Sequence, residues 1–81
     1  MAPEELHRRD ASRNMARFYA LAIVPGLFGE TGLCRTWGRI GARGGRSIVE
    51  WFATPGAALE RLEVLRRQKL RRGYQPVPSA P

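Results

Sequence analysis

The run Arg35–Gly45 contains the residue types best suited to recognising a ligand. In an extended strand Arg35, Trp37 and Arg39 project from one face, because successive side chains alternate. Guanidinium groups form bidentate contacts with phosphate, and an indole stacks on a base plane. Glycines at the end of the run, Gly41 among them, permit a tight turn or a close backbone approach. The run therefore predicts a binding surface for an anionic partner.

Groups that could catalyse a reaction are sparse in this chain of 81 residues. His7 is the only histidine and Cys34 the only cysteine, which excludes an internal disulfide and the common zinc frameworks. Glu30 and Glu50 are lone carboxylates without an evident acid-base partner. We therefore expect a protein that is not an enzyme, with no catalytic residues, no metal and no cofactor.

The segment Trp37-Gly38-Arg39, followed by Ile40-Gly41 and a second glycine pair, resembles the signature of the WGR domain family. Similar residues of short bacterial WGR proteins also match Arg17–Leu21, Leu27–Gly29 and the closing Lys69-x-x-x-Gly73-Tyr74, so the resemblance covers roughly residues 13–74. Gly45 departs from the family, which often has Gln there. The chain is also too short to hold the catalytic domain of a poly(ADP-ribose) polymerase.

The resemblance implies a function, because WGR modules of eukaryotic poly(ADP-ribose) polymerases bind DNA at strand breaks. There the motif tryptophan packs against the DNA near the break. Carried over to this sequence, the resemblance implies nucleic-acid binding with Trp37 and Arg39 in the matching positions.

Composition favours a polyanionic partner on separate grounds. The net charge is +7, and all but one of the 14 basic residues are arginine; general solubility and a GC-rich genome are the alternative explanation. The apolar stretch 20–28 is too short to span a bilayer, and the N-terminus lacks the apolar core of a signal peptide. We expect a cytoplasmic protein without a membrane partner.

Apolar patterning and turn residues predict one small α+β domain over residues 13–74, in which an antiparallel sheet of at least three strands packs one face against a single long helix. The predicted strands cover about residues 13–24, 33–40 and 46–53, with Gly41–Gly45 as a hairpin. Thr54 as N-cap, Pro55 at the first helical position and Gly73 as a stop predict the helix. Residues 1–12 and 75–81 are expected to be a disordered leader and tail.

Packing expectations follow from the same patterns. The wholly apolar face of the first predicted strand, which includes Ala20 and Val24, is expected to meet the helix. Leu27 and Phe28 are expected to tuck under the edge of the domain, and Trp51 to pack. The helix stripe that should cover the sheet comprises Ala58, Leu59, Leu62, Leu65 and Leu70.

The predicted interface combines the arginine-rich run with the basic end of the helix, where part of the charge also stabilises the helix dipole. Its residues are Arg35, Trp37, Gly38, Arg39, Arg43, Arg46, Arg67, Lys69 and Arg71. DNA is the favoured partner, with strand ends or breaks as the preferred target. The alternative is a protein-interaction adaptor that uses the same Trp and Arg surface for an acidic protein. The sequence favours a monomer, and it does not fix the hairpin register.

Overall fold

A computed structural model describes residues 3–77. Its strands are β1 (Glu4–Asp10), β2 (Met15–Pro25), β3 (Thr31–Arg39), β4 (Arg46–Phe52) and β5 (Gln75–Pro76), and its helix α1 spans Pro55–Arg71. The strands form one antiparallel sheet in the order β4-β3-β2-β1-β5. The predicted α+β architecture, a sheet with one long helix on one face, is confirmed.

The prediction of a mobile leader over residues 1–12 is wrong for Glu4–Asp10, which form β1 and pair with β2 along seven residues. Leu6, the one apolar residue of β1, is fully buried, and Glu4 accepts a hydrogen bond of 2.6 Å from the Nε of Arg66 on α1. Backbone pairing and one anchor thus hold a strand whose composition is otherwise polar. The start of the predicted tail is also ordered: Gln75–Pro76 pair with β1, while residues 78–81 lie outside the described part.

The core forms between α1 and the mixed face of β2, so the prediction that the apolar face of β2 meets the helix is wrong. Tyr19 and Leu21 are buried together with Leu33 of β3 and Leu62 of α1. The opposite face of β2 carries three alanines, including Ala20, which are too small to fill the space beneath a helix at the packing density of a protein interior. Side-chain volume decides which face is covered.

The helix begins and ends where its signals predict. Thr54 Oγ1 accepts a hydrogen bond from the backbone N–H of Ala57, Pro55 follows the cap, and Gly73 takes a φ of +94° just after the last turn. Leu62 is buried, but Leu59 is 44% exposed and does not belong to the packed stripe as predicted. Within residues 3–77, no helix is long and apolar enough to cross a membrane.

The face of the sheet that points away from α1 has no second layer in the described part of the chain. Trp51, predicted to pack, lies on this face and is 53% exposed. Leu27 and Phe28, predicted to tuck under the edge, are 93% and 91% exposed at the tip of the β2–β3 loop. Gly29 takes a φ of +86° in this loop, and Glu30 caps the loop by accepting a hydrogen bond from the backbone N–H of Phe28.

The β3–β4 hairpin settles the register that the sequence left open. Trp37 lies opposite Arg46, and Arg35 lies opposite Ile48. Gly41 and Gly44 adopt φ values of +82° and +76°, which favour glycine in the predicted turn. The whole of the Arg35, Trp37 and Arg39 face therefore lies on the α1 side of the sheet.

Candidate nucleic-acid interface

A pocket of about 450 Å³ opens where β2 and β3 meet the C-terminal end of α1. Strands β2 and β3 contribute two basic and two aromatic side chains to it. Tyr19 lies opposite Trp37, and Arg17 lies opposite Arg39. The pocket is lined by Arg17, Phe18, Tyr19, Trp37, Gly38, Arg39, Lys69 and Tyr74. It is a cleft of ligand size with three phenol or indole rings and three cations.

Three aromatic rings and one ammonium group form the floor of the pocket. The rings of Tyr19 and Trp37 are stacked, with centroids 6.3 Å apart and planes inclined by 27°. The Nζ of Lys69 lies 4.4 Å from the centroid of Tyr19 and 5.4 Å from that of Tyr74. Cation–π attraction fixes the ammonium group over the rings. Tyr19 and Tyr74 are buried, whereas Trp37 is half-buried and keeps part of its ring on the pocket surface.

Positive charge accumulates in this pocket. Burial is the main factor that lowers the pKa of Lys69 below its ordinary value, and the neighbouring charges of Arg72, Arg17 and Arg35 lower it further. These like charges lie close to one ammonium group, so their mutual repulsion disfavours its charged form. An anion placed among them would relieve that repulsion.

Most acids of the described residues make their contacts away from the pocket. Ion pairs within 4.0 Å join Glu4 to Arg66, Glu63 to Arg66 and Arg67, Glu50 to Arg61, and Asp10 to Arg13. Over residues 3–77, no carboxylate forms such a pair with Arg17, Arg35, Arg39, Lys69 or Arg72. The pocket cations are therefore available to a negatively charged ligand.

Arg39 is held at the rim of the pocket by the turn between β1 and β2. Its Nη1 donates to the backbone carbonyl of Asn14 at 3.2 Å, and its Nη2 lies 3.4 Å from the Oδ1 of the same residue. Asn14 takes a φ of +51°, in the left-handed region that asparagine tolerates, and thereby ends the short 3₁₀ turn Ala11–Arg13. Because the acceptors are neutral, Arg39 keeps its charge uncompensated while its position is fixed.

Gly38 lies opposite Phe18, on the face of β3 that points away from α1. A Cβ at this position would lie 3.1 Å from the ring of Phe18 and 3.3 Å from the Cα of Gly45. The missing side chain thus lets Phe18 and the glycine turn close against β3 behind Trp37. Gly38 supports the shape of the hairpin, and its backbone lines the pocket.

The nine predicted interface residues separate into three groups. Trp37, Gly38, Arg39 and Lys69 line the pocket, and Arg35 lies beside it with a buried Nε that has no hydrogen-bond partner. Arg46 is opposite Trp37 on β4 and exposed, and Arg43 is exposed in the hairpin turn. Arg67 and Arg71 are each two residues from Lys69, about 160° around the helix, so they face away from the pocket.

Four pocket residues were not in the predicted interface, namely Arg17, Phe18, Tyr19 and Tyr74. The signal for two of them is present in the sequence: Arg17 and Tyr19 repeat on β2 the basic–aromatic alternation of Arg35 and Trp37 on β3. This alternation was overlooked because the opposite face of β2 was assigned to the core. Tyr74 could not be placed, because its position depends on the chain reversal after Gly73.

The comparisons with known proteins extend this description. A family model of the WGR domain matches residues 4–81, which includes β1 and so begins before the residue 13 expected from the motifs. The chain is also 49% identical over 76 residues to an uncharacterized protein, y4dW, of Sinorhizobium fredii (strain NBRC 101917 / NGR234). The match covers 94% of this chain and 37% of that relative. WGR domains are associated in general with nucleic-acid binding. On the family match, this chain belongs to the WGR domain family.

Proposed function

We propose that this chain is a non-enzymatic nucleic-acid-binding module that takes DNA, and preferentially DNA ends, into the pocket formed by Trp37, Arg39 and Lys69. The observation that carries the proposal is the convergence of cations without a carboxylate beside a partly open indole. Such a combination suits a phosphate backbone with an accessible base or sugar next to it. A cytoplasmic location belongs to the same proposal, since it fits a chain with a single free cysteine.

The roles of the pocket residues follow from their exposure and contacts. Arg17 and Lys69 supply charge to a phosphate, and Arg39, fixed by Asn14, presents its guanidinium at the rim. Trp37 offers the exposed part of its ring to a sugar or base plane, while Tyr19 supports it from the core side. The cations provide affinity that depends on salt, and the indole provides an apolar contact that does not.

An end of a duplex suits this pocket better than its interior. The terminal base pair has one face that is not covered by a neighbouring pair, so an aromatic side chain can pack there without unstacking the helix. A continuous duplex would have to be opened at a cost of a few kcal/mol per step. The pocket is a single cleft at the end of α1 rather than a long groove, which also fits a terminus.

The test compares a labelled blunt duplex with a closed circular competitor in fluorescence anisotropy titrations at two salt concentrations. We expect the parent protein to prefer ends and Trp37→Ala to lose about 1 to 3 kcal/mol of end affinity, roughly five- to a hundredfold. The salt slope should stay nearly unchanged, because stacking releases no counterions. Trp51→Ala is the matched control, since Trp51 lies on the other face of the sheet.

Because Trp37 packs against the core, Trp37→Ala is also expected to lower the melting temperature, and the titrations are made where circular dichroism shows a folded domain. The readout is the ratio of end to circle affinity, which a loss of stability alone does not change. Equal end preference in Trp37→Ala and the parent, or no preference in the parent, would refute end binding. Binding to ends that Trp51→Ala abolishes would place the interface on the other face.

The alternative function, an adaptor for an acidic protein, uses the same pocket cations, because aspartate and glutamate carboxylates fit guanidinium groups as phosphates do. DNA binding with a steep salt dependence would favour the first function. Absence of DNA binding together with binding of an acidic peptide, blocked by Arg39→Ala, would favour the second.

A further inference from the structure

The two edges of the sheet differ in how they are protected. At one edge β5 is two residues long and contains Pro76, which lacks a backbone N–H and shields β1 from further pairing. At the other edge β4 is seven residues long, contains neither proline nor lysine, and pairs only with β3 among the described strands. Proteins normally protect such an edge with short strands, lysine, proline or a covering element. The edge of β4 is therefore open to pairing with another strand.

Apolar side chains mark this edge on both faces. Ile48 is 46% exposed on the α1 side, and Val49 and Trp51 are exposed on the other side. None of them is needed for the core, which consists of residues from β1, β2, β3 and α1 with Tyr74. A strand that pairs with β4 would cover backbone groups and apolar side chains in one step.

We propose that the occupant of this edge is a second copy of the same chain, paired antiparallel through β4 about a twofold axis at Ile48. In this register residues whose numbers add to 96 lie opposite each other, and both copies keep their helices on the same side of a continuous sheet. Arg46 of each copy then lies opposite Glu50 of the other. Two ion pairs flank an Ile48–Ile48 contact at the centre.

The charges single out this register among those that keep the faces aligned. An axis at Val49 places Arg46 opposite Phe52 and Ile48 opposite Glu50, and an axis at Ser47 places Arg46 opposite Ile48. Only the axis at Ile48 matches both charged residues of β4 with opposite charges. Opposite charges directly across an antiparallel pair are favourable, whereas a charge opposite an apolar residue is not matched.

The surroundings of Glu50 agree with this register. Glu50 makes one long ion pair, 3.6 Å from its Oε1 to the Nε of Arg61, and that oxygen has no hydrogen bond. Its side chain is partly exposed, so it can accept a second cation.

The experiment measures molar mass by sedimentation equilibrium over a range of protein concentrations without nucleic acid. We expect the apparent molar mass of the parent protein to rise with concentration from 9.1 kDa towards twice that mass. Arg46→Glu and Glu50→Arg should each remain near the monomer mass, because each places like charges opposite each other. An equimolar mixture of these two variants should again form dimers, since all four facing residues are then oppositely charged.

Ile48→Lys provides a second variant, which places two ammonium groups at the axis and should stay monomeric. Its matched control is Val64→Lys, at a similarly exposed position on the outside of α1. Circular dichroism melting establishes that each variant is folded. A parent that stays at 9.1 kDa at all concentrations overturns the proposal. Dimers that survive the single charge changes, or a mixture that stays monomeric, overturn it as well. The sequence alone favours a monomer, because an exposed edge becomes visible only with the strand order.

Discussion

The two faces of the sheet divide packing and charge between them. The α1 face holds the large side chains Leu21 and Leu33 at its centre and the basic pocket with Trp37 at one end. The opposite face carries small or uncharged residues along β2, β3 and β4, with Cys34, Thr36 and Ser47 joined by polar contacts in the middle. Among the described strands, only β1 contributes charged residues to this face, and Arg9 is one of them. Core and candidate site thus share one face, and the other face is left free of both.

This division has a physical cause in side-chain size. Only long side chains fill the space between a helix and a sheet at the packing density of a protein interior. Long side chains that end in a charge can lie on the same face when they reach the rim, as Arg17 and Arg39 do. Apolar stems then cover the core while the charged groups gather at the pocket.

Helix α1 is expected to stabilise the fold only through the residues on the sheet side. Leu62→Ala should lower the free energy of unfolding by about 2 to 5 kcal/mol, because it leaves a cavity beside Leu21 and Leu33. Leu59→Ala makes the same chemical change one turn away at a position that is largely exposed, and should cost far less. Urea unfolding of both variants measures the difference. Equal losses would mean that α1 packs on a different stripe.

The sequence predicted the elements of the fold better than their faces. Thr54, Pro55 and Gly73 bound the helix, and the glycine turn gives the hairpin, because these signals are local. β1 was missed because its stability lies in backbone pairing with β2 and in Leu6, neither of which shows in a polar composition. Hydrophobic alternation identifies a strand, but it does not say which face meets the helix.

The two tryptophans show the same limit. Trp51 stands among apolar neighbours and was expected to pack, yet it is more exposed than Trp37, which stands between arginines and stacks on Tyr19. The alternation of Arg35, Trp37 and Arg39 correctly placed them on one face. The sequence did not show that these arginines could share a face with the core. They can do so because Lys69 and Tyr74 close a pocket at the end of α1.

The two sides of α1 can be compared by removing two positive charges from each side and measuring DNA binding. Arg17→Gln with Lys69→Gln should reduce the salt slope of DNA binding by about two units, one for each lost phosphate contact. Arg67→Gln with Arg71→Gln removes the same charge from the outer side of the helix, where Arg67 already pairs with Glu63 at 3.2 Å, and should reduce the slope less.

Anisotropy titrations from low to moderate salt give both slopes, and melting curves show whether the glutamine variants remain folded. Glutamine retains part of each apolar stem and removes only the charge, so packing over Tyr19 is partly preserved. A larger effect of the outer pair would move the interface to the outside of α1. Equal effects would indicate general attraction by net charge rather than a defined pocket.

The smallest expected effect is a pH dependence that separates binding from folding at Lys69. Burial, followed by Arg72, Arg17 and Arg35, lowers the pKa of Lys69 below 10.5. A bound phosphate favours the charged ammonium and raises this pKa, so binding takes up a proton, and affinity should fall as pH rises through the lowered pKa.

Folding should respond to the same titration in the opposite direction. The unfolded chain keeps the proton of Lys69 up to its ordinary pKa of 10.5, whereas the folded domain releases it at lower pH. Between these two pKa values the unfolded state binds more protons than the folded state. The free energy of unfolding should therefore rise with pH in this range. In Lys69→Arg the guanidinium stays charged, so both Lys69 contributions should disappear. Titrations and urea unfolding of parent and variant across this window measure both. If the parent loses affinity and stability together, or if Lys69→Arg keeps the same pH dependence, the loss of binding arises from another group and Lys69 does not hold the ligand.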